Sequence, residues 1–290
     1  MRIIFFGTPS FVVPILEELV KNYNVVGVVT AADTFNIRKK RSEPSAVKKA
    51  YGELLQNNHA IGEILTPDEL DQQVAEKLQA IKPDLFIVAA YGKLIPENIL
   101  TIPENGALNV HPSLLPKYRG PSPIQTAILN GDKETGITII QMDKELDHGP
   151  ILFQKTIPVA PSDTFASLHE KLFQESAAIL PQVVTSYIQQ DLKPEPQDDA
   201  IATYTKKIKK ADGYIDLEHI PPPDRLERMI RAFYPWPAVW TTVRIRNHES
   251  RIMKLLPEKH VQIEGGKIMK IKDLVNGYPE LKETIGKIFT

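Results

Sequence analysis

The chain has 290 residues, 42% hydrophobic and 24% charged, with a formal charge of −1 and no cysteine. Disulfides and a thiolate nucleophile are excluded, and no apolar run approaches the roughly 20 residues of a membrane-spanning helix. The length allows a sizeable core and predicts two domains.

In chain order, Arg2 to Phe6 reads as a strand that begins at once, which leaves no room for a signal or transit peptide and predicts a cytoplasmic protein. Pro9 to Val20 reads as a helix and Val25 to Thr30 as a second strand. Helices follow over about 45–56 and 67–80, each opened near a proline suited to a first turn. Asp84 to Ala90 is almost wholly apolar, as a parallel strand covered on both faces would be. Ala107 to Val110 and Ile137 to Met142 are further strand-like runs, and Asp163 to Gln189 is a long helix-like segment. This alternation predicts a doubly wound, Rossmann-like α/β domain with ligands at the carboxyl ends of its strands.

Asp191 to Thr203 is polar, carries two prolines and reads as a linker. The expected division is a catalytic domain over 1–189, a linker over 190–203 and a C-terminal domain over 204–290. Within the last, Asp224 to Phe233 reads as a helix and Val239 to Ile245 as a strand. Residues 204–290 hold 17 Lys and Arg against 11 Asp and Glu, leaving 18 against 25 elsewhere. A basic tail on an acidic body fits a polyanionic partner, or equally a solvated Lys-rich surface.

The residues richest in chemistry are Asn109-Val-His111 and, later, Leu146-Asp-His-Gly149. On a strand, side chains two apart share a face, so Asn109 and His111 point into one space. Asp147 follows another strand-like run. An amide suits an oxyanion, an imidazole moves a proton or stabilises charge, and a carboxylate orients either. That set suits acyl-type transfer between nitrogens. Taken singly, each residue also has a structural reading: turn former, satisfied histidine, Asp-before-Gly turn.

Weaker signals surround this set. Gly7-Thr-Pro-Ser10 is a tight strand-to-helix turn or a phosphate site, but without G-x-G-x-x-G it predicts no dinucleotide. Arg38, Lys39, Lys40 and Arg41 form a basic cluster, suited to nucleic-acid phosphates or to plain solvation. Pro235-Trp236-Pro237 with Trp240 suits a small core or a base-stacking surface. The seven His lack ligand-like spacing, so no metal is expected.

Phe6-Gly-Thr-Pro9, Ala90-Tyr-Gly92, the run Asn109 to Ile124, Gly136-Ile-Thr138 and Leu146 to Gly149 together resemble the folate-dependent formyltransferases. The resemblance spans the N-terminal domain and resumes toward the C-terminus. It implies 10-formyltetrahydrofolate as formyl donor, Asn109 at the oxyanion, His111 at the amine proton, and Asp147 positioning His111 and a water. Tyr91, Gly92, Ser113, Leu114, Leu115 and Pro116 would line the folate pocket. These motifs alone leave the acceptor open, because sugar-amine and purine-pathway members share them. Thr30 to Lys48 resembles the loop with which one branch meets a tRNA acceptor stem, carried here by Arg38, Lys39, Lys40 and Arg41. Arg231-Ala-Phe-Tyr-Pro-Trp-Pro237 resembles that branch's oligonucleotide-binding barrel. The implied reaction is formylation of the methionine α-amine on initiator tRNA, by a monomer with no membrane partner. A nucleotide-sugar amine as acceptor, or a non-catalytic folate- or RNA-binding relative, are the alternatives. Thr34-Phe-Asn-Ile37 departs from the usual Pro- and Gly-containing loop. The strand-rich part of the small domain is reduced to about 253–260, so an abbreviated barrel is expected.

Overall fold

Four consecutive residues near the amino terminus, Ile3, Ile4, Phe5 and Phe6, are completely buried, so the strand they form is covered on both faces. Each such side chain stabilises the fold by about 1.5–3 kcal/mol through its burial. The computed structural model describes residues 1–36, 40–57, 62–245 and 249–289. In chain order its strands begin with β1 (Arg2–Gly7), β2 (Asn24–Val29), β3 (Thr34–Asn36), β4 (Arg41–Glu43), β5 (Glu63–Leu65) and β6 (Leu85–Ala89). They continue with β7 (Ala107–His111), β8 (Glu134–Gln141) and β9 (Ile151–Pro158). The helices among and after them are α1 (Val13–Asn22), α2 (Ala46–Gln56), α3 (Gln72–Ile81), α4 (Glu97–Leu100), α5 (Pro123–Asn130) and α6 (Phe165–Ile188).

Seven strands make one sheet in the order β5-β2-β1-β6-β7-β8-β9, and β3 pairs with β4 in a separate ladder. The pairs from β5 through β7 are parallel. β8 then runs antiparallel to β7, so the sheet is mixed. This reversal decides where the loop after β8 has to go.

Local chemistry explains the helix ends. Ser45 caps α2, its hydroxyl accepting from the Lys48 amide at 3.0 Å. The helix expected from residue 67 begins instead at Gln72, because Asp71 supplies the cap, accepting from the Val74 amide at 3.0 Å. The preceding turn is held differently, with the Lys93 ammonium donating to the Pro67 and Asp68 carbonyls at 2.8 and 2.6 Å.

Contacts divide the chain into two units. The first comprises Met1–Arg119, Gly136–Ile157 and Glu170–Tyr204, and the second Gly120–Thr135, Pro158–His169 and Thr205–Thr290. The second unit holds α7 (Pro223–Ala232), α8 (Ile271–Gly277) and α9 (Lys282–Phe289). Its sheet is a four-stranded antiparallel meander of β10 (Val239–Ile245), β11 (Glu249–Leu256), β12 (His260–Ile263) and β13 (Ile268–Lys270). β10 and β13 are its edges, and a single parallel bridge from Tyr214 extends the β10 edge at Trp240. Among the described residues this sheet is open. It extends the strand beyond what the sequence suggested, since β11 starts at Glu249 and 268–270 is paired as well. Leu226 and Ile230 bury one face of α7 at helical spacing, and Arg228 Nε donates to the Leu129 carbonyl of α5 at 3.0 Å.

Candidate active site

β7 lies inside the sheet, where Asn109 pairs with Val88 on one side and Ile140 on the other. Asn109 and His111 project from the same face, as their two-residue spacing requires. Because β8 runs antiparallel, Gln141 at its end sits beside Leu108, at the start of β7. The 142–150 loop therefore folds back to bring Asp147 over Asn109 and His111. Gly149 makes the return possible: a Cβ there would run into the Gln141 carbonyl oxygen. Asp147 itself adopts a left-handed backbone, φ 51°.

The three expected catalytic residues come together. Asn109 Nδ2 donates to Asp147 Oδ1 at 3.2 Å. His111 Nδ1 lies 3.6 Å from the same oxygen, an ion-pair distance too long for a hydrogen bond. The His111 and Asp147 side chains are only 5% and 11% exposed, which strengthens the electrostatics between them. On the other side of the ring, Nε2 is 3.0 Å from the Tyr118 carbonyl. A carbonyl only accepts, so Nε2 carries a proton, and in the neutral ring Nδ1 presents its lone pair toward Asp147.

The residues expected to line a folate pocket fall into two groups. Ser113 to Pro116 directly follow β7 and are fastened to the sheet. Thr138 Oγ1 donates to the Ser113 carbonyl at 2.6 Å and accepts from the Leu115 amide at 3.1 Å. Gln154 Nε2 donates to the Leu115 carbonyl at 2.7 Å. Ser113 is fully buried, its hydroxyl donating to the Lys117 carbonyl at 2.6 Å. Leu114 packs against Gly136. Tyr91 and Gly92 lie just beyond the carboxyl end of β6. The Tyr91 ring is in the core, edge-on to Phe6 at 5.4 Å, and burial pushes its hydroxyl up to about 12. Gly92 has φ 87° with open space where a Cβ would stand.

Of the basic cluster, Arg38 and Lys39 lie outside the described residues. Lys40 is exposed, and Arg41 on β4 pairs with Glu43 at 3.4 Å. Among the described residues, Asp216, Glu218 and His219 are the group with ligand-type atoms within 4.8 Å. All three are exposed, and His219 Nδ1 is already bonded to Asp216 at 2.9 Å.

Sequence reasoning missed the residues that hold the 142–150 loop. Gln197, from the segment read as a linker, donates through Nε2 to the Asp147 and Gly149 carbonyls at 2.9 and 2.8 Å. Arg119, 1% exposed, donates to Gln197 at 2.9 Å, to Tyr204 at 3.2 Å and to Asp199 at 2.7 Å. His148 is bonded to Asp143 at 2.7 Å, and that bond holds its imidazole above the usual range. Its other nitrogen lies 3.4 Å from Asp199, whose carboxyl is lowered by the hydrogen bond from Arg119. The only sequence sign of this network was an Arg within an apolar, Pro-rich stretch.

Residues 1–184 match the formyl transferase family and residues 207–261 match the formyl transferase C-terminal domain. The chain is 44% identical over 247 residues to the methionyl-tRNA formyltransferase of Roseiflexus sp. (strain RS-1), covering 84% of this chain and 74% of the relative. It is 37% identical to the methionyl-tRNA formyltransferase of Marinobacter nauticus, covering 96% of each. Among solved structures, an N-formyltransferase from Helicobacter canadensis in complex with folinic acid and dTDP-3-aminofucose shares the fold. The TM-score is 0.61 at 20% identity, over 93% of this chain and 98% of that one. With an amide, an imidazole and a carboxylate gathered on the face of β7, the chain belongs to the formyl transferase family.

Proposed function

We propose that this enzyme transfers the formyl group of 10-formyltetrahydrofolate to the α-amino group of methionine on initiator tRNA. The observation that carries the chemistry is the Asp147 carboxylate oxygen lying 3.2 Å from the Asn109 amide and 3.6 Å from the His111 ring. The acceptor rests on relatives named methionyl-tRNA formyltransferase at 37–44% identity, one of them matched over nearly its full length. The basic excess of residues 204–290 fits the same partner.

In this reading the amine nitrogen attacks the formyl carbon and the carbonyl oxygen becomes an oxyanion. Asn109 has two N–H bonds; one meets Asp147 and the other is available to that oxygen. The amine proton passes to His111 Nδ1, since Nε2–H is committed to Tyr118. The resulting imidazolium lies beside Asp147, which stabilises it. N10 of the folate then leaves and takes up a proton as the carbonyl re-forms. Tyr91, Gly92 and Ser113 to Pro116 line the donor site, and Arg38 to Arg41 meet the acceptor stem. Catalysis is assigned to residues 1–189 and tRNA binding to 204–290.

The test offers labelled 10-formyltetrahydrofolate with initiator Met-tRNA, elongator Met-tRNA and dTDP-3-aminofucose. Label on the initiator methionine alone is expected. Label on the sugar amine would overturn the acceptor, and label on none would overturn the reaction.

A further inference from the structure

Asp147 has to be presented in an unusual way. The strand before it leads away from the site, its loop doubles back, and its own backbone is left-handed. Non-glycine residues hold such a conformation only where surrounding contacts impose it. Lys144, Glu145 and Leu146 are exposed, and within the loop Asp143 accepts from the Glu145 amide and bonds the His148 ring. The loop backbone on either side of His148 is held by one amide from fifty residues later. Gln197 Nε2 donates to the carbonyl of Asp147 and to that of Gly149, one bond for each of its two hydrogens.

The orientation of that amide is itself determined. Gln197 Oε1 accepts from Arg119 Nε at 2.9 Å. A guanidinium has no acceptor, so the oxygen must face Arg119 and the NH₂ must face the loop. Arg119 is almost completely buried and is anchored in turn by Asp199 and Tyr204. It adjoins Tyr118, whose carbonyl fixes the His111 ring. One rigid element thus reaches both sides of the catalytic group: Tyr118 to His111 directly, and Arg119 through Gln197 to Asp147.

We propose that Gln197, oriented by Arg119, is the positioning residue that holds the Asp147 carboxylate in register with Asn109 and His111 for formyl transfer. It touches no reacting atom and acts only through Asp147. The inference rests on the catalytic reading of Asp147 and deepens it.

The test is a double-mutant cycle on the full chain, using Gln197→Glu and Gln197→Met with Asp147→Asn, and 10-formyltetrahydrofolate with initiator Met-tRNA as substrates. Glu keeps the shape and the link to Arg119 but turns an acceptor toward two carbonyls; Met keeps the length and removes the polar atoms. Active-site concentration is set by folinic acid titration, so lost folding is not counted as lost turnover. Misplacing a reacting group by about 1 Å costs on the order of a hundredfold, so kcat should fall between tenfold and a hundredfold with KM nearly constant. Each Gln197 variant combined with Asp147→Asn should be no slower than Asp147→Asn alone. Wild-type kcat in both Gln197 variants, or losses that multiply in the double variants, would overturn the proposal. If Asp147→Asn alone keeps full turnover, the catalytic reading of Asp147 fails, and the proposal with it.

Discussion

The Asn109 amide lies 3.2 Å from the Asp147 carboxylate although 38 residues separate them and the intervening strand β8 runs antiparallel to β7. A parallel β8 would have delivered its following loop to the carboxyl end of β7. The antiparallel strand delivers it to the opposite end, so the loop must return over the sheet face. The result is a carboxylate beside the middle of a strand, where both Asn109 and His111 reach it.

His111→Gln should separate orientation from chemistry. Glutamine can still donate to the Tyr118 carbonyl but offers no basic nitrogen in place of Nδ1. Turnover should fall by about 10²–10⁴, the usual worth of a positioned acid-base group, with little change in melting temperature. Steady-state kinetics beside a thermal melt check this, and near-normal kcat would remove His111 from proton transfer.

Gly149→Ala should damage stability and activity together. The new methyl would overlap the Gln141 carbonyl, so the loop must shift or β8 must give. Overpacking of this kind costs about 1–3 kcal/mol, readable in a urea titration. Because Gly149 also receives a bond from Gln197, kcat per folded molecule should drop as well. Unchanged stability would mean the loop has more freedom than its contacts imply.

These examples mark how far the sequence could be read. The Asn-x-His pair was legible because strand periodicity alone puts both on one face, and 239–245 was legible because β-branched Val, Thr and Ile dominate it. Asp147 was recognisable as a carboxylate after a strand, but its path depends on strand direction, which periodicity does not encode. Arg119 and Gln197 were missed for a related reason. They meet across 78 residues, and Gln197 sits in a polar, aperiodic segment that pattern reading assigns to a linker. The short strand β13 escaped because its exposed Ile268 gives no burial signal.

His169 sets an acid limit on stability. Burial pushes its imidazole down to about 4 from the ordinary 6.5. Between those values only the unfolded chain takes up the proton, so stability is full above about pH 6.5 and declines as pH falls toward 4. Melting curves across that window should show the decline, and His169→Phe should flatten it. An equal decline in the variant would assign the effect to other groups.

Charge reversal at Arg38 should act on the acceptor and spare the donor. Arg38→Glu should raise KM for initiator Met-tRNA, leave KM for the folate unchanged and weaken the dependence of tRNA affinity on salt. Binding isotherms at several salt concentrations measure this. An unaltered salt slope would remove Arg38 from tRNA binding.

The most direct test of the catalytic centre is a single-turnover measurement of formyl transfer to initiator Met-tRNA by Asn109→Ala beside the unaltered enzyme, both at saturating substrates. Loss of one oxyanion donor should slow the transfer step by about 10²–10³. A variant that transfers formyl at the unaltered rate would contradict the centre built from Asn109, His111 and Asp147.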